Sequence, residues 1–402
     1  MMRPIAPPSG EYPQPLLQSL RSVSVRTAMP EMSSETGYAR LTPRQARLVM
    51  IVLALSALFF VGVTFSPLRR GNVGKRPPDE GDVALYWAEV QRIHAGEGYY
   101  QAAAAELPAR GYPTRSLFNW RTPLPMWLIG KLPAVVLGKA LICGAALALL
   151  LIAFEALARE ENNIIRRPVA CALLLTGPLM PCLLGNLFVM PVLWAGVFIA
   201  LSICAYGIDR PWLGVAMGLA ALFLRELALP YCLLAAAIAW WHGRRAEGTA
   251  WGVGLAAWLG FFALHGLQVA RVMPPNAVAH SQGWIQLGGA GFVIATAQMN
   301  AYLVLLPQWI TALYLVAALF AMAGWHTELG LRCGLTTCLF VTAFALVGQE
   351  FNQYWGSLFA PLLCLGIVRF PASLRDLYQA ARRPAAAGWA VFSGRIRGAS
   401  RP

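Results

Sequence analysis

The apolar residues of this chain come in long blocks, and that arrangement narrows its possible folds more than any motif does. Blocks near 48–66, 134–156, 168–184, 187–206, 210–225, 227–241, 249–270, 304–324, 333–348 and 355–369 carry few charges or none. A helix needs roughly 20 apolar residues to cross the hydrocarbon core of a bilayer. A surface helix of a soluble protein would instead show an apolar stripe with polar residues between. Composition agrees. Of 402 residues, 58% are hydrophobic and 12% are Asp, Glu, Lys or Arg, about half the charged share of a soluble domain. So little charge cannot coat a soluble surface of that size. The expected fold is all-α, a polytopic transmembrane helical bundle of about ten spans occupying 48–370.

Charge sets the orientation. The first 47 residues are polar, rich in Pro and Ser, and hold six Arg. No apolar core follows a short basic start, so they are not a signal peptide; they read as a disordered cytoplasmic tail. Residues 371–402, with Arg375, Arg382, Arg383, Arg395, Arg397 and Arg401, read as a second basic cytoplasmic tail. With both termini inside a cell (inner or plasma) membrane, Arg159, Arg166, Arg167, Arg210, Arg244, Arg245 and Arg332 also fall inside, as the positive-inside rule requires. The net charge of +14 therefore belongs to membrane orientation, and no nucleic-acid partner is expected. This parity makes 285–303 a lipid-surface or re-entrant segment. It also requires 210–241 to break near Arg225, Glu226 and Pro230. The stretch 67–122 becomes a first extracytoplasmic loop, long enough to escape the charge rule, and is expected to form membrane-surface helices.

The eight cysteines all lie in or beside apolar segments, and none is in a CxxC pair. They read as small packing residues, so no metal site, disulfide framework or cofactor is expected. His94, His265 and His280 lack metal-ligand spacing, and His265 reads as a satisfied core histidine. No phosphate-binding glycine loop, GxSxG or HExxH occurs.

Polar residues within the apolar pattern are the candidates for chemistry. Asp82 follows Pro77-Pro78-Asp79-Glu80-Gly81 where a helix begins. It is either an N-cap or a carboxylate held at a cavity rim as a general base. Arg225 and Glu226 lie between two apolar blocks, where charges are costly and face a cavity or each other. They form a structural pair or a phosphate site, since the planar guanidinium fork binds two oxygens at once. Lys139 snorkels to the headgroups or binds phosphate. Arg121, beside Trp120, is an interfacial anchor or a ligand contact. Glu350, Asn352 and Gln353 make a polar turn before the last block.

The loop continues through Tyr86-Trp87, Gly96-Glu97-Gly98-Tyr99-Tyr100 and Phe118-Asn119-Trp120-Arg121-Thr122-Pro123-Leu124-Pro125. An Asp followed by an aromatic, a Gly-x-x-Tyr and an aromatic stretch running into prolines resembles the first outer loop of GT-C integral membrane glycosyltransferases. The pattern is most similar to the polyprenyl-phosphate-mannose-dependent mannosyltransferases. Gly185-Asn186 stands where that group often has Gly-Gln. Gly214 to Leu224 followed by Arg225-Glu226 resembles its small-residue helix with a charged end. Gln353-Tyr354 leading to Pro361 resembles its last outer turn. The resemblance spans roughly residues 80–370.

The resemblance implies transfer of a sugar, mannose or another hexose or pentose, from a polyprenyl-phosphate donor at the extracytoplasmic face. The acceptor would be an envelope glycan, lipid or protein. Asp82 would be the base. Arg225, Lys139 and Arg121 would hold the donor phosphate, with Tyr86, Asn186, Glu226, Glu350 and Gln353 binding substrate. The competing expectations are a lipid-linked glycan polymerase or ligase, which would depend on loop Arg and His residues, and a polytopic transporter, which would show repeat halves and broken helices.

Overall fold

A computed structural model describes residues 36–66, 81–161, 165–279 and 286–384, with the side chain of Glu350 outside that description. Asp79, Glu80, His280, residues 1–35 and the arginines beyond 384 also lie outside it.

The described residues form helices joined by turns, without a strand. In chain order the helices are α1 (Pro43–Thr64), α2 (Asp82–His94), α3 (Tyr99–Ala109), α4 (Leu124–Gly130), α5 (Val136–Glu160), α6 (Arg166–Leu179), α7 (Pro191–Gly207) and α8 (Pro211–Leu224). They continue as α9 (Leu229–Trp241), α10 (Arg245–Val272), α11 (Gly289–Ala297), α12 (Gln308–Ala323), α13 (Glu328–Leu346), α14 (Ala360–Ile367) and α15 (Phe370–Arg382). Four of them, α1, α5, α10 and α13, are long and apolar enough to cross a membrane by length and composition. They carry the reading of a helical membrane protein. The surface of α1 makes the point: Leu48, Ile51, Val52, Leu55, Leu58 and Phe59 are all exposed, an arrangement that water would penalise and lipid would not.

Shorter apolar helices occupy the other expected spans. α7 is buried almost all round and forms the centre of the bundle, packed on α5, α8, α13 and the turn Glu350–Leu358. Two expected spans are broken. The block 168–184 is helical only to Leu179 and then turns through a 3-10 stretch, Met180–Cys182, because the ring of Pro181 removes a backbone donor. The block 355–369 starts inside the 3-10 turn Glu350–Leu358 and becomes α-helical only at Ala360, with Pro361 in the first turn. The break expected in 210–241 is present: Arg225 is extended (φ −155, ψ 120), and a 3-10 turn Glu226–Ala228 leads into α9. The segment 285–303 contains α11, nine residues long. At 1.5 Å per residue it reaches about 14 Å, too short to cross, and it is buried against Glu350–Leu358.

Order extends past the expected tail boundaries. Thr42 and Gln45 form a capping box at the start of α1. Thr36 donates from N (2.8 Å) and Oγ1 (3.0 Å) to Asp376 Oδ2, and Arg47 Nε donates to the carbonyl of Ala381. The start of α1 and helix α15 thus lock together. This end of the bundle also collects ion pairs. Arg369 meets Glu160 and Glu161, and Arg167 meets Glu161. Arg244 pairs with Glu328 at 2.5 Å, and buried Arg332 pairs with Glu247 and lies over the Tyr206 ring, 3.4 Å from its centroid. α10 starts beside this cluster and reaches the opposite end about 42 Å away. The first-loop helices are gathered at that opposite end.

Candidate functional site

Helix α2 begins because Gly81 supplies a backbone that other residues avoid. Its φ of +106° is open to glycine without a Cβ clash. Gly81 is the N-cap, and no side chain caps the helix. Asp82 is therefore the first helical residue rather than a cap, and its carboxylate turns elsewhere. Tyr112 Oη donates to Oδ1 at 2.8 Å, and Tyr354 Oη donates to Oδ2 at 2.6 Å. One tyrosine comes from the first loop and the other from the turn before α14. Two phenol donors on one carboxylate fix its direction.

One turn along α2, Tyr86 shares the face of Asp82. Its hydroxyl accepts from Arg121 Nε at 2.7 Å, and Arg121 Nη1 donates to the carbonyl of Phe118 at 2.5 Å. Burial pushes the Tyr86 phenol up to about 12. Arg121 is in turn held through its backbone, where Tyr99 Oη donates to its carbonyl at 2.5 Å. Trp120 Nε1 donates to Thr114 O, and the His265 ring bridges Trp120 O (3.0 Å) and Tyr100 Oη (3.1 Å). His265 is thus the satisfied core histidine expected. The amides of Thr114 and Arg115 both donate to Val278 O, which ties the first loop to the second.

These contacts enclose a cavity of about 970 Å³. Asp82, Tyr86 and Arg121 lie on its wall with Arg110, Tyr112, Asn119, Asn276 and Asn352. Carboxylate, guanidinium, phenol and amide groups face one space, an inventory suited to a hydroxyl-rich ligand with a charged group nearby.

The other expected residues are placed differently. Arg225 is 2% exposed, with Nη1 2.8 Å from Glu226 Oε1. Among the described residues its Nε and the Oε2 of Glu226 have no hydrogen-bond partner, and Nη1 has none beyond that ion pair. The pair is not part of the cavity wall. It stands behind it, close enough for Arg225 to act electrostatically on Tyr86 and Tyr354. Lys139 is half-buried, and its Nζ donates to Gly185 O at 3.4 Å, beside exposed Asn186. Lys139 and Asn186 meet each other's neighbourhood but not the cavity. Gln353 is exposed and also off the wall; the buried Asn352 takes its place, because the turn from Glu350 is 3-10 and directs every third residue inward, here Asn352, Trp355 and Leu358.

Sequence reasoning left Tyr112, Asn119, Asn276 and the buried Glu89 outside the site. Tyr112 lies in Gly111-Tyr112-Pro113, a turn signal with an aromatic at its centre, but nothing local ties it to Asp82. Glu89 was legible by spacing, one turn beyond Tyr86 on the same face of α2. No group of three or more His, Cys, Asp or Glu side chains able to hold a metal occurs among the described residues. No protein-family model, curated protein or solved structure matches the chain.

Proposed function

We propose that this chain is a membrane-embedded glycosyltransferase. It moves a sugar, mannose or another hexose or pentose, from a polyprenyl-phosphate donor to an envelope glycan, lipid or protein at the extracytoplasmic face. The reading combines the first-loop resemblance to GT-C enzymes with the site geometry. The observation that carries it is the convergence of Asp82, Tyr86 and Arg121 on one cavity wall. The chain crosses the membrane about ten times, with both termini cytoplasmic and the cavity end outside. The shorter helices α6 to α9 and α12, with α14 continued from the 3-10 turn Glu350–Leu358 before it, supply the crossings that length alone does not establish.

In this mechanism the acceptor occupies the cavity. Asp82 takes the proton of the acceptor hydroxyl as its oxygen attacks the anomeric carbon, and the bond to the donor phosphate oxygen breaks. Tyr112 and Tyr354 hold the carboxylate toward the acceptor; each of its oxygens keeps a second lone pair for the incoming proton. The leaving group is a polyprenyl phosphate carrying growing negative charge. Arg121 on the wall, and Arg225 behind it with its Nε unpartnered among the described residues, stabilise that charge.

The test is transfer of labelled sugar from polyprenyl phosphate by Asp82→Asn in membranes with matched protein levels. Because Asp82 makes no capping bond, the amide leaves the helix start intact. Loss of the base removes on the order of a hundredfold or more in turnover. Full activity in this variant would overturn the assignment.

A further inference from the structure

Helix α2 carries a second carboxyl group that the mechanism above does not use. Glu89 lies seven residues beyond Asp82 and three beyond Tyr86, so the three side chains form one stripe along the helix. It is 2% exposed, and its Oε2 has no hydrogen-bond partner. Among the described residues it joins no ion pair, although Arg121 is the opposite charge that acts on it most strongly. Arg121 spends its Nε and Nη1 donors on the hydroxyl of Tyr86 and the carbonyl of Phe118, both neutral acceptors.

That choice of partners is informative. An ionised carboxylate buried without a donor is among the costliest arrangements in a protein. A guanidinium that acts on such a charge is drawn toward it. The guanidinium instead stays on neutral oxygens, which is the arrangement expected around an uncharged Glu89.

We infer that Glu89 is a positioning residue of this site: held as a neutral acid, it leaves Arg121 on Tyr86 at the cavity wall, and its ionisation would draw Arg121 away. The inference rests on the proposed function for its catalytic consequence only; the charge state of Glu89 and the placement of Arg121 do not depend on it.

The groups around Glu89 support a neutral acid. On its own helix, Asp82 repels a negative charge there, Arg92 is engaged with Glu97 and Glu106, and the His94 ring is bonded to Gly130 O. From α3 and the residues after it come Glu106, which repels, Arg110, which attracts and is paired with Glu106, and Tyr99. α4 and the turn Leu187–Val189, also packed on α2, bring no titratable side chain. Burial, first of all, pushes the Glu89 carboxyl up to about 8. A carboxyl raised in the folded state contributes stability that is complete below its ordinary value. That contribution is lost as pH climbs through the folded value, here the window from about 4.5 to about 8.

The experiment compares full-length wild type with Glu89→Gln in detergent. Between pH 5 and pH 9, roughly bracketing that window, the wild-type melting temperature should fall relative to the variant. Sugar transfer by wild type should drop about tenfold from pH 7 to pH 9, following the neutral fraction of an acid titrating near 8, while the variant holds its pH 7 rate. Parallel melting profiles would overturn the inference. If neither protein transfers sugar, the proposed function fails, and the melting comparison still decides the role of Glu89. Glu89→Met, unbranched and apolar, is the second variant, because a neutral acid in this pocket tolerates one replacement or the other. Failure of both variants to accumulate would mean that Glu89 works as a charge, and would also overturn the inference.

Discussion

The hydroxyl of Tyr354 donates to Asp82 Oδ2 at 2.6 Å, across 272 positions of sequence. The bond joins the first loop to the turn before α14, whose Phe351 and Asn352 lie on the cavity wall. Tyr354→Phe removes the donor and little else. A hydrogen bond to a charged acceptor contributes about 1.5–3 kcal/mol, so the variant should melt lower and lose on the order of tenfold in transfer rate, with unchanged membrane level. Tyr112→Phe should act similarly. The double variant should lose less than the product of the two, since both donors serve one carboxylate. Initial rates for all three, normalised to protein, test this; a Tyr354→Phe rate equal to wild type would show that Asp82 needs no such clamp.

The turn that carries Tyr354 is seated by two glycines. A Cβ on Gly196 of α7 would collide with the backbone carbonyl of Ser357, and one on Gly356 with that of Thr296. Backbone cannot rotate aside as a side chain can. Gly196→Ala should therefore destabilise by about 1–3 kcal/mol and displace Tyr354 from Asp82, so activity falls along with melting temperature. Gly144→Ala on α5, where nothing lies within 4 Å, is the control and should be neutral or stabilising. Thermal melts of both variants decide the matter; a Gly196→Ala protein as stable as the Gly144→Ala control would contradict the close approach.

Much of this arrangement was legible in the chain, and the reasons for the exceptions are physical. Apolar blocks announced the helices because burial in lipid demands length, which sequence displays directly. The break at Arg225 was legible because a buried charge and Pro230 coincide there. What could not be read was tertiary. Tyr112 and Tyr354 become partners of Asp82 only when loops distant in sequence meet. Asn352 rather than Gln353 lies on the wall because a 3-10 turn buries every third residue, here Asn352, Trp355 and Leu358. Lys139 was expected at the donor or at the headgroups, and its ammonium reaches the carbonyl of Gly185, away from the cavity wall. Asp82 resembled a cap because sequence could not show that Gly81 takes that position.

Topology yields a prediction independent of activity. Thr36 is bonded to Asp376, and Arg369 to Glu160 and Glu161, so both ends of the described chain share one end of the bundle. The positive-inside rule assigns that end to the cytoplasm. Reporter fusions after Arg245 and after Arg375 should read cytoplasmic, and an insertion at Gly111 should read external. A fusion after Arg375 that reads external would remove the proposed ten-span path and place the Tyr354 turn on the wrong side for the acceptor.

The last prediction concerns Arg225. Its guanidinium is buried, and among the described residues it pairs through Nη1 with the neighbouring Glu226 and keeps Nε without an acceptor. A purely structural pair would leave the protein intolerant of any change, because removing one partner strands a buried charge at a cost of about 3–5 kcal/mol. A phosphate site behaves differently. Arg225→Lys keeps the charge but loses the planar fork that spans two oxygens. It should accumulate normally and raise the apparent KM for the polyprenyl-phosphate donor about tenfold, the equivalent of one charge-assisted hydrogen bond. The KM for the acceptor should stay unchanged, because Arg225 lies behind the cavity wall. Arg225→Ala would expose Glu226 without its partner, so the informative form is the double variant Arg225→Ala with Glu226→Gln, which strands no charge. Donor titrations at saturating acceptor, alongside membrane levels, separate the two roles. A well-expressed double variant with wild-type donor affinity would end the assignment of Arg225 to the phosphate and leave Arg121 as the cation facing the leaving group.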